Sequence, residues 1–337
     1  MIKVDLITGF LGSGKTTFLK RYAQYYINKG MHIGILENDH GAVNVDMMML
    51  QELEGDNCDL EMVSGGCDYD CHYRRFKTKL IAMGMYGLDR VIIEPSGIFN
   101  VNEFYDILRE EPLDRWYEIG SVITIVDSTL SPDLISPNDE YLLASQVASA
   151  GAIVFSKLKD SADINQAAVV QNTEKKTTGE HSTIKITADD TITNTLSYLE
   201  ESLAKIKCTN RLTSIHIAKP WSQLNGDDFE LLARCGYHPA DYISNECAKD
   251  PDYESIYIME SGISYNKLVD IIPTFFSDAS FGKIIRIKGF IHDLTWQQIN
   301  FTQNNADIQP VQNGQDVIII IGYNLNEEKI QKTLGIN

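Results

Sequence analysis

The segment that most constrains this chain is Gly9-Phe-Leu-Gly-Ser-Gly-Lys-Thr16, close to its start. It has the spacing G-x-x-x-x-G-K-[ST], directly after an apolar stretch predicted as a strand and directly before a predicted helix. An ordinary glycine turn entering a helix is the alternative, but it would not require the lysine or this spacing. The segment therefore predicts a phosphate-binding loop, or P-loop.

Each residue type in such a loop has a chemical role. Backbone N–H groups near the glycines surround phosphate oxygens, and the N-terminus of the next helix adds positive partial charge. Lys15 is expected to reach the β- and γ-phosphate oxygens, and Thr16 to coordinate magnesium. The expected nucleotide-binding residues of the loop are Gly9, Gly12, Ser13, Gly14, Lys15, Thr16 and Thr17. The predicted ligand is a purine nucleoside triphosphate with magnesium.

Short runs rich in Ile and Val alternate with amphipathic stretches through residues 1–157. This alternation predicts an α/β fold, a P-loop NTPase with a mostly parallel sheet and helices on both faces. We predict strands at 2–8, 32–38, 59–64, 90–94, 120–127 and 151–156, helices at 15–29 and 70–84, and a further apolar run at 183–187. The polar stretch 158–181 is expected to lie outside the core.

The pattern changes after about residue 205, where Pro and Gly interrupt the chain as far as 254. Beyond it, two alternating segments, an apolar run at 317–321 and a helical pattern at 327–334 capped by Gly335 predict a smaller α+β domain with two helices. We therefore predict a P-loop domain at 1–204, a structured linker at 205–254 and a C-terminal α+β domain at 255–337.

The overall charge limits the classes of partner. A formal net charge of −18 repels phosphate backbones and anionic membranes, so neither nucleic acid nor a membrane is an expected partner. Apolar runs are far shorter than the ~20 residues that span a bilayer. The first residues do not resemble a signal peptide, so a cytoplasmic location is expected. A homodimer is left open.

An acid at the end of a second strand is expected beside the magnesium. The segment Arg90-Val-Ile-Ile-Glu94-Pro-Ser-Gly97 supplies one, with Glu94 as the Walker B candidate and an ordinary strand-end acid as the alternative. Gly97 could donate its N–H to the γ-phosphate or could serve only the turn. The acidic segment Glu37 to Gly41, with Asp39, lies where a loop sensing the γ-phosphate is expected. Lys15, Thr16 and Glu94 are the catalytic candidates.

The segment expected to read the base is Ser156-Lys157-Leu-Lys-Asp160, after the strand at 151–156. GTPases of this architecture usually carry Asn-Lys-x-Asp there. Ser156 replaces the Asn, and the acid arrives one residue late, so Asp160 can grip guanine only if the loop bulges. GTP is favoured, with ATP or promiscuous binding as alternatives.

Three soft or borderline metal ligands lie within six residues, at Cys67, Cys71 and His72. This clustering predicts a transition-metal site for zinc, cobalt or nickel, to which Cys58 or His40 could add. The alternative is buried, unliganded thiols, because C-x3-C-H matches no structural zinc spacing. Met47 to Leu50 is interpreted as helix packing. The remaining cysteines are interpreted as structural.

These landmarks resemble the CobW family of metal-handling P-loop GTPases. Its motifs correspond to Gly9–Thr17, Glu37–Gly41 with Asp46, Gly65–Cys67, Glu94–Gly97 and Gln146. Its C-terminal module is similar to Ile285–Phe290, Trp296, Val317–Gly322 and Asn324–Glu328. The departures are Cys67-x3-Cys71-His72 in place of the family's CxCC, His40 in place of Phe, and the broken base-reading motif.

The resemblance implies a GTP hydrolase that couples nucleotide state to a bound metal and delivers the metal to a client protein or cobalamin-related pathway. Slow hydrolysis is expected, because no arginine finger is evident in the motifs. Two alternatives stay open. One is a nucleotide-gated activator of a corrinoid or other metalloenzyme that carries no metal itself, and the other is a non-hydrolysing nucleotide-binding scaffold.

Overall fold

The computed structural model describes residues 1–39, 45–64, 69–97, 101–132, 135–158, 188–243, 254–303 and 305–336. Two sheets organise these residues. The first is parallel throughout, in the order β3-β2-β4-β1-β5-β6-β7. Its strands are β1 (Ile2–Thr8), β2 (Ile33–Asp39), β3 (Cys58–Ser64), β4 (Arg90–Pro95), β5 (Tyr117–Asp127), β6 (Ala152–Ser156) and β7 (His216–Ile217).

Helices cover both faces of this sheet. They are α1 (Lys15–Asn28), α2 (Val45–Leu50), α3 (Tyr69–Met83), α4 (Val101–Leu108), α5 (Leu113–Trp116), α6 (Pro137–Ala148), α7 (Ala188–Lys205) and α8 (Gly226–Ala233). Phe18 and Tyr22 of α1 pack on one face, with Ile7 of β1. Phe76 of α3 and Phe104 of α4 pack on the other. Successive strand residues point to opposite faces, so apolar residues on both faces bury the sheet.

The predicted fold class is confirmed. Each strand predicted between residues 2 and 156 is present, and so are both predicted helices, with ends that differ by a few residues. The apolar run at 183–187 and almost all of the polar stretch at 158–181 lie outside the described residues. Within the described ranges, no helix is both long enough and apolar enough to cross a bilayer.

The second sheet is antiparallel, in the order β11-β10-β9-β12-β8. Its elements are β8 (Glu254–Met259), α9 (Tyr265–Ser277), β9 (Lys283–His292), β10 (Trp296–Thr302), β11 (Asn305–Val311), β12 (Val317–Tyr323) and α10 (Glu327–Leu334). Both helices pack on one face, where Leu268 and Ile330 join Ile287 and Ile318. Gly335 ends α10 with a left-handed φ of 83°, as predicted.

The opposite face of this second sheet lies against the first half of the chain. Met48 and Met49 of α2 pack with Phe290 and Ile319, and Leu50 is fully buried. The interpretation of this methionine run as helix packing therefore agrees with the structure. Tyr323 Oη donates a hydrogen bond of 2.9 Å to Asp139 of α6, which adds a polar link between the two halves.

The region predicted as a linker contributes to the first sheet. His216–Ile217 pairs with β6 as the seventh strand, and Tyr237 bridges to Ala150. A strand of two residues leaves no alternation that sequence periodicity could detect. The described part of residues 205–254 is therefore more closely joined to the P-loop half than a linker would be.

Candidate nucleotide and metal site

The P-loop follows the central strand β1 and leads into α1. Gly9 has φ 146°, and a Cβ there would lie 2.3 Å from the carbonyl oxygen of Ile125. Only glycine therefore permits this path. Lys15 is buried, and its Nζ donates to the carbonyl oxygen of Gly9 at 3.0 Å. A phosphate oxygen could replace this carbonyl oxygen as the acceptor for Lys15.

Charges around the loop act on the Lys15 ammonium. Burial lowers the pKa of Lys15 below its ordinary value, the charge of Glu94 opposes this shift, and the charge of Arg286 adds to it. A nucleotide phosphate brought to this point would favour the charged ammonium. The Lys15 side chain therefore lies where a nucleotide phosphate, the ligand that the sequence predicts, would stabilise its charged form.

Glu94 is the penultimate residue of β4 and lies next to the start of α1. Thr16 Oγ1 donates to Glu94 Oε1 at 2.8 Å, and Glu94 Oε2 is buried with no hydrogen-bond partner among the described residues. Burial raises the pKa of the Glu94 carboxyl to about 8, against the opposing charge of Lys15. A hydroxyl and a carboxylate with an unused oxygen are the ligand type that magnesium prefers, so these two residues fit the ion.

Gly97 lies against the P-loop from the turn after β4. A Cβ at Gly97 would lie 2.7 Å from the Leu11 nitrogen. The carbonyl oxygen of Gly97 accepts a hydrogen bond of 2.9 Å from Gln146 Nε2 of α6. Gln146 is one of the residues that resemble the family's motifs, and its buried amide fixes the position of this turn.

At the base-reading end, Ser156 is buried and its Oγ donates to the carbonyl oxygen of Val126 at 3.4 Å. Lys157 adopts φ 58°, and its Nζ pairs with Asp127 at 2.5 Å. Lys157 is therefore oriented by Asp127. Asp160 lies outside the described residues, so the predicted bulge stays a prediction.

Trp221, which the sequence did not single out, lies beside the P-loop. Its Nε1 donates to the carbonyl oxygen of Phe155 at 2.9 Å. Its ring edge is 3.0 Å from the Cβ position of Gly14. Trp221 follows the strand β7. With only two residues, β7 is too short to give an alternating pattern, so the sequence did not predict the position of Trp221.

The second sheet covers the P-loop. A cavity of about 270 Å³ is lined on one side by Lys15, Thr16 and Glu94 and on the other by Arg286 and Lys288 of β9. Lys288 Nζ pairs with Asp46 Oδ2 of α2 at 2.7 Å. Burial alone would raise the pKa of Asp46, but the charges of Lys288 and Arg286 hold it at about 2. The sequence resemblance contained Ile285–Phe290 but gave no reason to place its two cations at the nucleotide site.

The cysteine segment is described only in part. Cys67 and His40 lie outside the described residues, as does the side chain of Asp39. Cys71 is half-buried and His72 is buried at the start of α3. Within the described ranges, no group of three or more His, Cys, Asp or Glu side chains could hold a metal ion. The predicted metal set of Cys67, Cys71 and His72 therefore stays a prediction.

Cys58, the possible further ligand, lies in the core at the start of β3. The strand runs for about 20 Å, at ~3.3 Å per residue, from Cys58 to the end that leads to α3, where Cys71 and His72 lie. Cys58 packs in the core beneath α1, and burial raises the pKa of its thiol to about 12. A buried, protonated thiol is a poor metal ligand.

Comparison with known proteins adds an independent observation. The model for the CobW/HypB/UreG, nucleotide-binding domain family matches residues 3–185. Two relatives from Escherichia coli (strain K12) are similar to this chain. The zinc chaperone YeiR is 29% identical over 158 residues, 47% of each chain. The zinc chaperone YjiA is 29% identical over 166 residues, 46% of this chain and 49% of the relative. The chain thus spans about half the length of the curated relatives it matches.

Solved structures show weaker overall likeness. Zn(II)-bound YjiA GTPase from E. coli aligns over 99% of this chain and 98% of that one, with 18% identity and a TM-score of 0.32. The hydrogenase maturation factor HypB from Archaeoglobus fulgidus aligns over 68% and 85%, with 16% identity and a TM-score of 0.38. The family assignment rests on the family model, which covers more than half of the sequence. The chain belongs to the CobW/HypB/UreG family of nucleotide-binding proteins.

Proposed function

We propose that this protein is a GTP-hydrolysing metallochaperone that couples its nucleotide state to the binding and delivery of zinc. The observation that carries the proposal is the arrangement of Lys15, Thr16 and Glu94. A buried lysine donates to its own loop, and a threonine hydroxyl is paired with a carboxylate that has a free buried oxygen. This arrangement suits a triphosphate with magnesium.

The protein's own residues would do most of the work by position and charge. Lys15 would move from the Gly9 carbonyl to the β- and γ-phosphate oxygens. Thr16 and Glu94 would hold magnesium, which when bound supplies positive charge to the phosphates. Asp39 and Gly97 would contact the γ-phosphate side directly or through water. Ser156, Lys157 and Asp160 would contact the base, with Asp127 orienting Lys157.

Zinc is proposed as cargo at Cys67, Cys71 and His72, with cobalt or nickel as competitors. Two thiolates and an imidazole suit zinc. Cys71 and His72 lie in the first turn of α3, which follows β3, and β3 runs parallel to β2 and β4 in the sheet that carries the P-loop and Glu94. Matched relatives are named zinc chaperones, which supports zinc as the metal to test first. The client would be a metalloprotein or a protein of a corrinoid pathway.

The first test concerns hydrolysis. Purified protein should release phosphate from GTP slowly, and Lys15→Ala should remove that activity. Glu94→Gln should keep nucleotide binding in EDTA but lose the gain in affinity that magnesium gives. Lys20 of the same helix is half-buried and pairs with Glu52, away from the loop, so Lys20→Ala is the matched control for Lys15. Hydrolysis that is unchanged in Lys15→Ala would contradict the proposed activity.

The second test concerns metal. Zinc, cobalt and nickel are titrated into metal-free protein with a GTP analogue, with GDP, and without nucleotide. We expect stoichiometric zinc binding whose affinity depends on the nucleotide and which Cys67→Ala/Cys71→Ala abolishes. Cys208→Ala serves as the control. Zinc binding that is unchanged by the cysteine substitutions and by the nucleotide would rule out the coupling. No zinc binding at all would favour an activator without cargo.

A further inference from the structure

The cations that line the cavity over the P-loop differ in the partners they bind. Lys288 is paired with Asp46, and Lys15 donates to the Gly9 carbonyl. Arg286 donates from Nε to the neutral amide oxygen of Asn300 at 3.0 Å. Within the described part of the chain, no carboxylate lies at ion-pair distance from Arg286. Its Nη1 and Nη2 groups are therefore available to an anion.

Arg286 also lies close to the P-loop. Its Cδ is 3.9 Å from the Cβ position of Gly12, and it lines the same cavity as Lys15, Thr16 and Glu94. The strand β9 carries a register shift here, because consecutive residues Ile321 and Gly322 of β12 pair with Arg286 and Ile284. The extra residue is a β-bulge, a feature that re-aims side chains. It places Arg286 on the face that covers the loop.

Thr302 adds a second polar group at the same point. It lies opposite Arg286 in the β9–β10 pairing, and its Cγ2 is 2.8 Å from the Cβ position of Gly12. Thr302 Oγ1 is buried and has no hydrogen-bond partner among the described residues. An unsatisfied buried hydroxyl carries a free-energy cost that a ligand oxygen would remove.

We propose that Arg286 is an arginine finger supplied within the chain, which contacts the γ-phosphate of the nucleoside triphosphate bound at the P-loop. Thr302 assists it, and Asn300 orients the guanidinium. This deepens the proposed function and rests on it. The second sheet thus becomes part of the hydrolytic site and supplies the arginine that was not evident in the sequence motifs.

The reaction that Arg286 serves is balanced hydrolysis. A water oxygen bonds to the γ-phosphorus, and the bond from that phosphorus to the β,γ-bridging oxygen breaks. The electron pair of that bond leaves with the bridging oxygen of the nucleoside diphosphate, and the proton released by the water ends on inorganic phosphate or solvent. Charge grows on the bridging and γ oxygens as the bond breaks, and a guanidinium nearby stabilises that charge.

The test compares wild type with Arg286→Gln, Arg286→Lys and Lys283→Gln, an exposed control on the same strand. Affinities for GDP and for a non-hydrolysable GTP analogue are measured with single-turnover hydrolysis and thermal melting. For Arg286→Gln we expect analogue affinity to fall about tenfold or more while GDP affinity changes little. Hydrolysis should fall about 100-fold or more. Arg286→Lys should be intermediate, and Lys283→Gln should match wild type.

Two results would overturn the inference. One is an Arg286→Gln protein that binds the analogue and hydrolyses GTP as wild type does, and the other is an equal loss of GDP and analogue binding. If Arg286→Gln melts early, Arg286→Lys is judged by the same ratio of analogue to GDP affinity. The proposed function fails separately, when wild type binds neither nucleotide, and the inference then fails with it. If wild type binds the nucleotides but does not hydrolyse GTP, the ratio of analogue affinity to GDP affinity still tests the role of Arg286.

Discussion

Lys288 Nζ lies 2.7 Å from Asp46 Oδ2, and this buried ion pair joins the second sheet to α2 of the P-loop half. Removing one partner leaves an uncompensated buried charge, which costs about 3–5 kcal/mol. We therefore expect Lys288→Met to lower the free energy of unfolding by roughly that amount in urea denaturation. The double variant Asp46→Asn/Lys288→Met should recover part of the loss. A Lys288→Met protein as stable as wild type would mean that the pair contributes nothing.

The pH dependence of stability should report the same pair. The pKa of Asp46 is lowered from 3.8 to about 2 in the folded protein. A lowered carboxyl pKa gives stability that is complete above the unfolded value and is lost as the pH falls towards the folded value. The shift corresponds to roughly 2 kcal/mol. We expect the stability difference between wild type and Asp46→Asn to shrink by that amount from about pH 5 to about pH 2. A difference independent of pH would contradict the assignment.

Trp221 should report nucleotide binding. Its ring edge lies 3.0 Å from the Cβ position of Gly14, so a ligand that orders the loop changes the surroundings of the indole. We expect a change in tryptophan fluorescence on adding GDP to wild type, and loss of that change in Trp221→Phe. Trp116→Phe is the control, because Trp116 packs near Gly84. A signal that survives Trp221→Phe would place the responding tryptophan elsewhere.

Local patterns predicted most of the P-loop half. The octapeptide at Gly9 and the strand ending in Glu94 each combine a turn signal with an apolar run, so their placement needs only neighbouring residues. The structure then brings Thr16 and Glu94 to 2.8 Å, as the interpretation of the two motifs requires. This contact follows from the parallel sheet, because β1 and β4 are adjacent and end at the same edge.

The position of the second sheet over the P-loop could not be predicted from such local patterns. Arg286 is 270 residues from Thr16 in sequence number, and its approach depends on how the two sheets pack. The strands β10 and β11 were not predicted, although Ile299 and Phe301 of β10 alternate with the cavity-lining Gln298 and Asn300 in a strand-like pattern. The predicted strand at 59–64 separates Cys58 from Cys67 in the sequence, but only the structure shows that the Cys58 thiol is buried beneath α1. Contacts between distant elements are set by tertiary packing, and no short motif records them.

Gly97 gives a final, purely steric prediction. An added Cβ would lie 2.7 Å from the Leu11 nitrogen and 2.9 Å from the Leu11 Cα, both backbone atoms that cannot move without distorting the P-loop. Overpacking of this kind costs about 1–3 kcal/mol. We expect Gly97→Ala to weaken nucleotide binding about tenfold, with a modest fall in melting temperature, as measured by titration calorimetry and thermal denaturation. Gly55→Ala is the control, since nothing lies within 4 Å of its Cβ position. Equal nucleotide affinities in the two variants would show that the turn after β4 yields to the added methyl group and that its close contact with Leu11 does not shape the loop.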